Sequence, residues 1–166
     1  MSATRNYILD QNIADKKLRR MALEILEQNH GEKEIILAGI REKGFIVARC
    51  LKDILAEVSD FKTSLLDISL DKRNPGEIIL SSQPDMNDKV VIIVDDVVNS
   101  GKTLTYALKP FLGFLPKKIQ ILVLVERTHT HFPVRPDYVG LSIATTIQEQ
   151  ITVEVEGQKV VGAYLV

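Results

Sequence analysis

The sequence contains only one cysteine, Cys50, so an intramolecular disulfide framework is excluded. It also lacks an excess of either charge, because 21 Lys and Arg residues face 22 Asp and Glu residues. The net charge of −1 therefore predicts no general attraction to nucleic acid. No apolar run reaches the length of a membrane span, and the first residues, M-S-A-T-R-N-Y, lack the apolar core of a signal peptide. These absences predict a cytoplasmic protein.

The chain has enough apolar residues to build one sizeable core. It contains 166 residues, of which 45% are hydrophobic, a value typical of globular proteins. Internal repeats, low-complexity tracts and a convincing linker are all missing. We therefore expect a single domain over residues 1–166.

One stretch, V-V-I-I-V-D-D-V-V-N-S-G-K-T, combines a buried strand with a polar turn. The apolar run from Val90 to Val94 predicts a parallel strand that is buried on both faces and ends at Asp95 and Asp96. A small-residue loop over residues 99–103 then precedes an amphipathic segment that predicts a helix. Because ligands of open α/β sheets bind beyond the carboxyl ends of the strands, this loop is a candidate binding site.

The residue types of this loop favour a phosphorylated sugar as the ligand. Gly101 allows close approach of the backbone, and the N–H groups that open the next helix bind phosphate. Ser100 and Thr103 add hydroxyl groups, and Lys102 adds positive charge. The carboxylates before the loop can accept hydrogen bonds from sugar hydroxyls or hold a Mg²⁺ ion bound to a polyphosphate.

Three other interpretations of the same stretch compete. A nucleotide P-loop requires a glycine where the chain has Asp96. An ordinary strand-to-helix turn leaves the acidic doublet unexplained. A receiver-like phospho-acceptor domain requires an isolated aspartate at the end of a neighbouring strand, and the nearest aspartate, Asp67, lies inside an apolar strand.

Two more strands are predicted to end in polar residues. The apolar stretch Glu34 to Ala38 leads into a loop over residues 39–44, which holds Arg41 and Lys43 and precedes a helix over residues 45–58. The strand Ile119 to Val125 ends in E-R-T-H. The carboxyl ends of parallel strands meet at one edge, so these groups are expected near the acidic pair.

Several stretches, in this order along the chain, resemble one known family: L-A-G-I-R-E-K-G-F-I-V-A-R-C-L, D-I-S-L, V-I-I-V-D-D-V-V-N-S-G-K-T and I-Q-I-L-V-L-V-E-R-T-H-T-H. They resemble the type I phosphoribosyltransferases, and within these the pyrimidine-operon attenuator/uracil phosphoribosyltransferase branch. The resemblance implies an α/β fold with a mostly parallel sheet, flanking helices and a small hood. It also implies transfer of a 5-phosphoribosyl group from phosphoribosyl diphosphate (PRPP) to a nucleobase, with Mg²⁺ and release of diphosphate.

The resemblance assigns roles to named residues. It places the 5′-phosphate on the loop Asn99, Ser100, Gly101, Lys102 and Thr103, and the diphosphate on the loop Ile40, Arg41, Glu42, Lys43 and Gly44. It implies that Asp95, Asp96 and Arg127 are catalytic and that both aspartates hold the ribose hydroxyls and Mg²⁺. It also implies that Tyr138 and Val139 bind the base, with the Tyr138 ring stacked on it; the alternative for Tyr138 is an aromatic residue of the core.

Asn99 bears on the choice of base, and the first helix bears on the choice of further partners. Purine-salvage members carry a carboxylate where this chain has Asn99, and an amide cannot remove a proton from the base, so uracil is favoured. The basic residues of the first helix, Lys16, Lys17, Arg19 and Arg20, are expected to form a solvated face. The alternative is contact with RNA, which is weakened because Leu23 stands where attenuator proteins have a histidine. The family also implies a dimer or a larger homo-oligomer. The lid region after D-I-S-L is short, and His129 and His131 have no assigned role.

Overall fold

The computed structural model describes residues 4–146 and 148–166. The elements in chain order are β1 (Asn6–Asp10), α1 (Gln11–Gln28), β2 (Glu34–Ile40), α2 (Lys43–Val58), β3 (Lys62–Leu70), β4 (Ile78–Leu80), β5 (Val90–Val98), α3 (Lys102–Ala107), a 3₁₀ turn (Lys109–Phe111), β6 (Lys118–Arg127), β7 (Tyr138–Ile143), β8 (Ile151–Glu156) and β9 (Lys159–Leu165).

Six strands form the main sheet in the order β4-β3-β2-β5-β6-β7. All neighbours in it are parallel except β4, which runs antiparallel to β3. The central strands are continuous apolar runs because helices cover both faces of the sheet. The other three strands form a small antiparallel sheet in the order β1-β9-β8, which we call the hood. The predicted mostly parallel sheet with flanking helices is confirmed.

The two faces of the main sheet are covered unequally. Helices α1 and α2 pack on one face, where a continuous apolar core also includes hood residues such as Val153 and Ala163. Helix α3 and the 3₁₀ turn cover the other face, where Leu104 and Phe111 are buried. Because the hood shares the first core, its position relative to the sheet is set by packing. In the part of the chain that the structure describes, no helix combines the length and the hydropathy of a membrane span.

The edge of the sheet that bears the candidate site forms where β5 extends beyond β2. Strand β2 pairs with β5 only as far as Gly39 opposite Val94, whereas β5 continues beside β6 to Val98. The prediction that β5 ends at the acidic pair is therefore wrong, because pairing with β6 alone extends the strand by several residues. The pair lies where β5 has lost one neighbour, and Asp95 packs against Gly44 in the chain that leaves β2.

Candidate active site

The acidic pair is almost completely removed from solvent. Asp95 and Asp96 are 1% and 7% exposed, and Asp95 Oδ1 accepts a hydrogen bond from the backbone N–H of Asp96 at 2.9 Å. Burial, and then the neighbouring charge of Asp96, raise the pKa of Asp95 well above its usual value. A site that binds hydroxyl groups or a cation relieves this cost, so the geometry is suited to such a ligand.

Lys72 is a site residue that the sequence analysis missed. Its Nζ atom lies 3.3 Å from Asp95 Oδ1 and 3.7 Å from Asp96 Oδ1. Burial lowers the pKa of Lys72, but the charges of the two aspartates outweigh it, so that the pKa is raised above its usual value. The available signal was a lysine just after the carboxyl end of β3, at the ligand edge of the sheet.

The predicted phosphate loop has the compact shape that an anion site requires. Gly101 has a φ of +86°, a backbone conformation that favours glycine, and its carbonyl accepts from Thr105 N at 3.0 Å. The segment after β6 supports the loop, because the N–H groups of His131 and Phe132 donate to Ser100 O at 2.8 and 3.1 Å. A cleft of ≈ 250 Å³ is lined by Lys72, Asp95, Val97, Val98, Asn99, Ser100, Gly101, Lys102, Thr103 and Leu104.

The loop predicted to bind diphosphate packs directly against the acidic pair. A Cβ atom at Gly44 would lie 2.8 Å from Val94 O and 3.0 Å from Asp95 Cα, so only glycine fits there without movement. Two boundaries differ from the prediction, since residues 39 and 40 belong to β2 and α2 begins at residue 43. The peptide bond between Arg41 and Glu42 is cis.

The cations of this loop have protein partners. Arg41 Nε lies 3.1 Å from Asp67 Oδ2 on β3, and Lys43 Nζ donates to the carbonyl of Val153 in the hood at 2.6 Å. The prediction that the Lys43 ammonium supplies charge to a diphosphate is therefore not supported by this geometry. The main chain of residues 40–44 is the part of the loop that packs beside the acidic pair.

Arg127 does not contact the acidic pair. Its guanidinium donates to Thr145 Oγ1, to Thr146 O at 3.0 Å and to Glu149 O. These contacts hold the segment that follows β7, which begins at the same edge of the sheet as the cleft. They do not test the catalytic role of Arg127, which stays a prediction.

The prediction that the Tyr138 ring stacks on a nucleobase is wrong. Tyr138 is 0% exposed and belongs to the core beneath α1. Its hydroxyl donates to Gln120 Oε1 at 2.7 Å and accepts from Asn29 Nδ2 at 3.2 Å, and burial raises its pKa to about 12. The ring is buried because Tyr138, the first residue of β7, pairs with Leu122 of β6 and faces the side of the sheet that α1 covers.

We expect Tyr138→Phe to lower stability without affecting ligand binding. Removal of the hydroxyl breaks its two buried hydrogen bonds, to Gln120 Oε1 and from Asn29 Nδ2, at a cost of about 1–2 kcal/mol. That corresponds to a fall in Tm of roughly 2–8 °C for a chain of this size, measurable by calorimetry. Tyr106→Phe, at a tyrosine that is 40% exposed, is the control and should leave Tm unchanged. An unchanged Tm in Tyr138→Phe would contradict the buried role.

Val139, the other predicted base-binding residue, lines a second cleft at the carboxyl end of β6. This cleft of ≈ 350 Å³ is lined by Glu126, Arg127, Thr128, Thr130, Val134, Arg135, Pro136 and Val139. It is next to the phosphate loop, since a Cβ atom at Gly101 would lie 3.7 Å from Thr130 Cβ. The structure thus brings the Asp95–Asp96 pair, the phosphate loop and Val139 to one edge of the sheet.

The donor set at this edge fits Mg²⁺ that is held mainly by a substrate. Mg²⁺ is typically bound through one or two carboxylates together with substrate phosphates, and Asp95 and Asp96 provide that number. Among the residues that the structure describes, no cluster of three or more His, Cys, Asp or Glu side chains is placed to hold a metal ion. The diphosphate oxygens of a substrate would supply the remaining ligands.

Comparison with known proteins defines the class of this protein. Residues 5–157 match the phosphoribosyl transferase domain family. The chain belongs to that family, and the family predicted from the sequence motifs is confirmed. The receiver-like and P-loop interpretations are thereby excluded.

The chain resembles proteins named PyrR over most of its length. It is 37% identical over 160 residues to the bifunctional protein PyrR of Clostridium acetobutylicum, with 90% of each chain covered. It is 32% identical over 158 residues to PyrR of Macrococcus caseolyticus, with 90% of this chain and 91% of the relative covered.

Solved structures show the same fold in enzymes that act on purines. Hypoxanthine phosphoribosyltransferase of Trypanosoma cruzi, in a ternary substrates complex, matches with a TM-score of 0.79 at 15% identity, covering 96% of this chain and 95% of that one. A hypoxanthine-guanine phosphoribosyltransferase of Bacillus anthracis matches with a TM-score of 0.71 at 22% identity, covering 83% and 82%. At these identities the likeness shows the fold alone.

Proposed function

We propose that this protein transfers the 5-phosphoribosyl group of PRPP to uracil, giving UMP and diphosphate. The observation that carries the proposal is the nearly buried pair Asp95–Asp96, which stands directly before a phosphate-type loop on the ligand edge of the sheet. Membership of the phosphoribosyl transferase domain family supports the reaction class. Oriented carboxylates beside an anion site match a ribose that carries a 5′-phosphate.

The proposed reaction depends on positioning and electrostatics. The loop over residues 99–103 binds the 5′-phosphate, and Asp95 and Asp96 accept hydrogen bonds from the ribose hydroxyls. Loss of diphosphate gives a transition state with oxocarbenium character, which two nearby carboxylates stabilise. The main chain of residues 40–44 orients the leaving diphosphate, and a bound Mg²⁺ would neutralise its charge. Holding both reactants in line supplies much of the rate enhancement.

The base is proposed to lie in the second cleft, between the carboxyl end of β6 and the segment before β7. The second cleft presents the Glu126 carboxylate, the Arg135 guanidinium and the hydroxyls of Thr128 and Thr130. These groups can donate to and accept from the edge of a pyrimidine. Asn99 supports uracil over a purine, because an amide cannot act as the general base for a purine nitrogen.

We expect Arg127→Met to weaken binding of the base more than binding of PRPP. The substitution removes three hydrogen bonds that hold the segment after β7, so KM for uracil should rise about tenfold or more. The Kd for PRPP should stay within about threefold. Steady-state kinetics and calorimetric titration measure the two. Arg49→Met, an exposed arginine on α2, is the control; a larger effect on PRPP would instead favour a catalytic Arg127.

The proposed activity is tested with purified protein, PRPP, Mg²⁺ and a panel of uracil, cytosine, orotate, hypoxanthine and guanine. We expect a nucleoside monophosphate to form with uracil and not with the purines. Diphosphate release provides an independent readout. Formation of IMP or GMP in preference to UMP would contradict the assigned base, and absence of product with every base would contradict the proposed reaction.

RNA binding is a second candidate function, because relatives of the chain are named bifunctional, the family resemblance includes attenuator proteins, and α1 carries Lys16, Lys17, Arg19 and Arg20. The structure limits which cations of α1 are suitable for a test. Arg19 pairs with Glu57 at 3.4 Å. Arg20 pairs with Glu24 and donates to the carbonyls of Val139 and Gly140 at 2.9 and 3.0 Å. Substitution of Arg20 would therefore disturb the sheet edge as well as any RNA contact.

Lys16 and Lys17 are better test positions for RNA binding. Filter retention of RNA should fall with rising salt and in Lys16→Gln/Lys17→Gln, since each phosphate contact releases counterions. Failure to retain RNA at low salt would remove this candidate.

We also propose that the chain forms a homo-oligomer, as the family resemblance implies. Light scattering at several protein concentrations tests this proposal, and a monomer at all of them would contradict it.

A further inference from the structure

The approach of Lys72 to the acidic pair crosses one strand of the sheet. Lys72 follows β3, the pair lies on β5, and β2 separates these two strands. Strand β2 stops pairing with β5 at Gly39. The end of β5 is therefore open, and the ammonium reaches both carboxylates there. Lys72 lies on the loop of the short lid region, so the contact is made at the entrance of the proposed PRPP site.

The contact is asymmetric in charge and in burial. One ammonium serves two carboxylates, and the Lys72 side chain is 47% exposed, whereas the side chains of Asp95 and Asp96 are 2% and 11% exposed. Two adjacent buried carboxylates without a counter-charge are strongly unfavourable. A lysine ammonium is a compact charge on a flexible stem, so it can leave the pair without a change in the sheet.

The atoms that Lys72 contacts are those proposed to hold the ribose and its Mg²⁺. Asp95 Oδ1 and Asp96 Oδ1 cannot bind the ammonium and those ligands at full strength together. We propose that Lys72 is a tethered counterion, which neutralises the acidic pair in the empty site and is displaced when Mg²⁺ and PRPP bind. This inference rests on the proposed function, and it makes Lys72 a residue that sets the affinity for PRPP by competition.

The opposite arrangement, in which Lys72 stays and contacts PRPP, predicts an effect of the opposite sign. Any loss of positive charge near a polyanion weakens binding, so a matched control is needed. Arg73 lies on the same loop and is exposed, and none of its side-chain atoms is within ion-pair distance of the described carboxylates. Arg73→Met removes the same charge without touching the acidic pair.

The test is calorimetric titration of Mg²⁺ and PRPP into the full-length protein and its variants. We expect the Kd for PRPP in Lys72→Met to be about three- to tenfold lower than in Arg73→Met. Lys72→Arg, which keeps the charge, should not show this gain. A Kd in Lys72→Met equal to or higher than in Arg73→Met would overturn the competition.

A second readout needs no PRPP. In the ligand-free state, the Tm of Lys72→Met should be lower than that of Arg73→Met, because the buried pair loses its counter-charge. Addition of millimolar MgCl₂ should raise the Tm of Lys72→Met by more than it raises the Tm of Arg73→Met. An unchanged ligand-free Tm would overturn the counterion role. If neither the wild type nor any variant binds PRPP while Tm responds as expected, the proposed function and the competition both fail. If the wild type binds PRPP and Lys72→Met binds it no tighter than Arg73→Met, only the competition fails.

Discussion

Asp96→Asn is expected to lower the rate of UMP formation roughly 10²- to 10³-fold while the protein remains folded. The side chain of Asp96 is 11% exposed and shares the Lys72 ammonium with Asp95. Asparagine has nearly the same volume, but it removes a charge-assisted acceptor for a ribose hydroxyl and one of the two oxygen-rich groups proposed for Mg²⁺. Loss of one or two such interactions lowers kcat/KM by roughly 10²- to 10³-fold.

The measurement for Asp96→Asn combines a product assay with an unfolding curve. We expect Tm to stay the same or to rise, because one of two adjacent buried negative charges is removed. Asp60→Asn, an exposed aspartate just before β3 at the opposite edge of the sheet, makes the same chemical change and should retain full activity. Activity of Asp96→Asn close to the wild-type value would contradict the role given to the acidic pair.

Gly44→Ala is the second change with a large expected effect, because it acts on stability and on the site together. The added Cβ would lie 2.8 Å from Val94 O, 3.0 Å from Asp95 Cα and 3.1 Å from Asp95 Oδ1. Backbone atoms cannot move aside cheaply, so the start of α2 must shift away from β5. Such overpacking costs about 1–3 kcal/mol, and a displacement of about 1 Å at the site can lower the rate about 10²-fold.

Gly76→Ala is a matched control for this prediction. Gly76 also lies in a loop, between β3 and β4, but a Cβ atom there would meet nothing within 4 Å. We expect its Tm and activity to stay near the wild-type values, whereas Gly44→Ala should lose roughly 2–10 °C in Tm. Wild-type Tm and PRPP affinity in Gly44→Ala would show that the loop does not need its close contact with Asp95.

Tyr138 and Arg127 bind protein partners that their motifs do not predict. The family resemblance assigned both residues to the ligand. Tyr138 faces the α1 side of the sheet, where Asn29 and Gln120 bind its hydroxyl. Arg127 turns to the segment after β7. Which partner a side chain takes depends on elements distant in sequence, so the motif alone could not predict it.

The sequence by itself determined the fold class, the family, the acidic pair and the loop of residues 99–103, because their signals are local. An apolar run, two carboxylates and a small-residue turn follow one another directly, and the backbone places them together whatever surrounds them. Only the tertiary structure decided that Lys72, 23 residues before Asp95, meets the acidic pair. It did so because the order of the strands, and the point at which β2 ends, set the distances between residues that are remote in the chain.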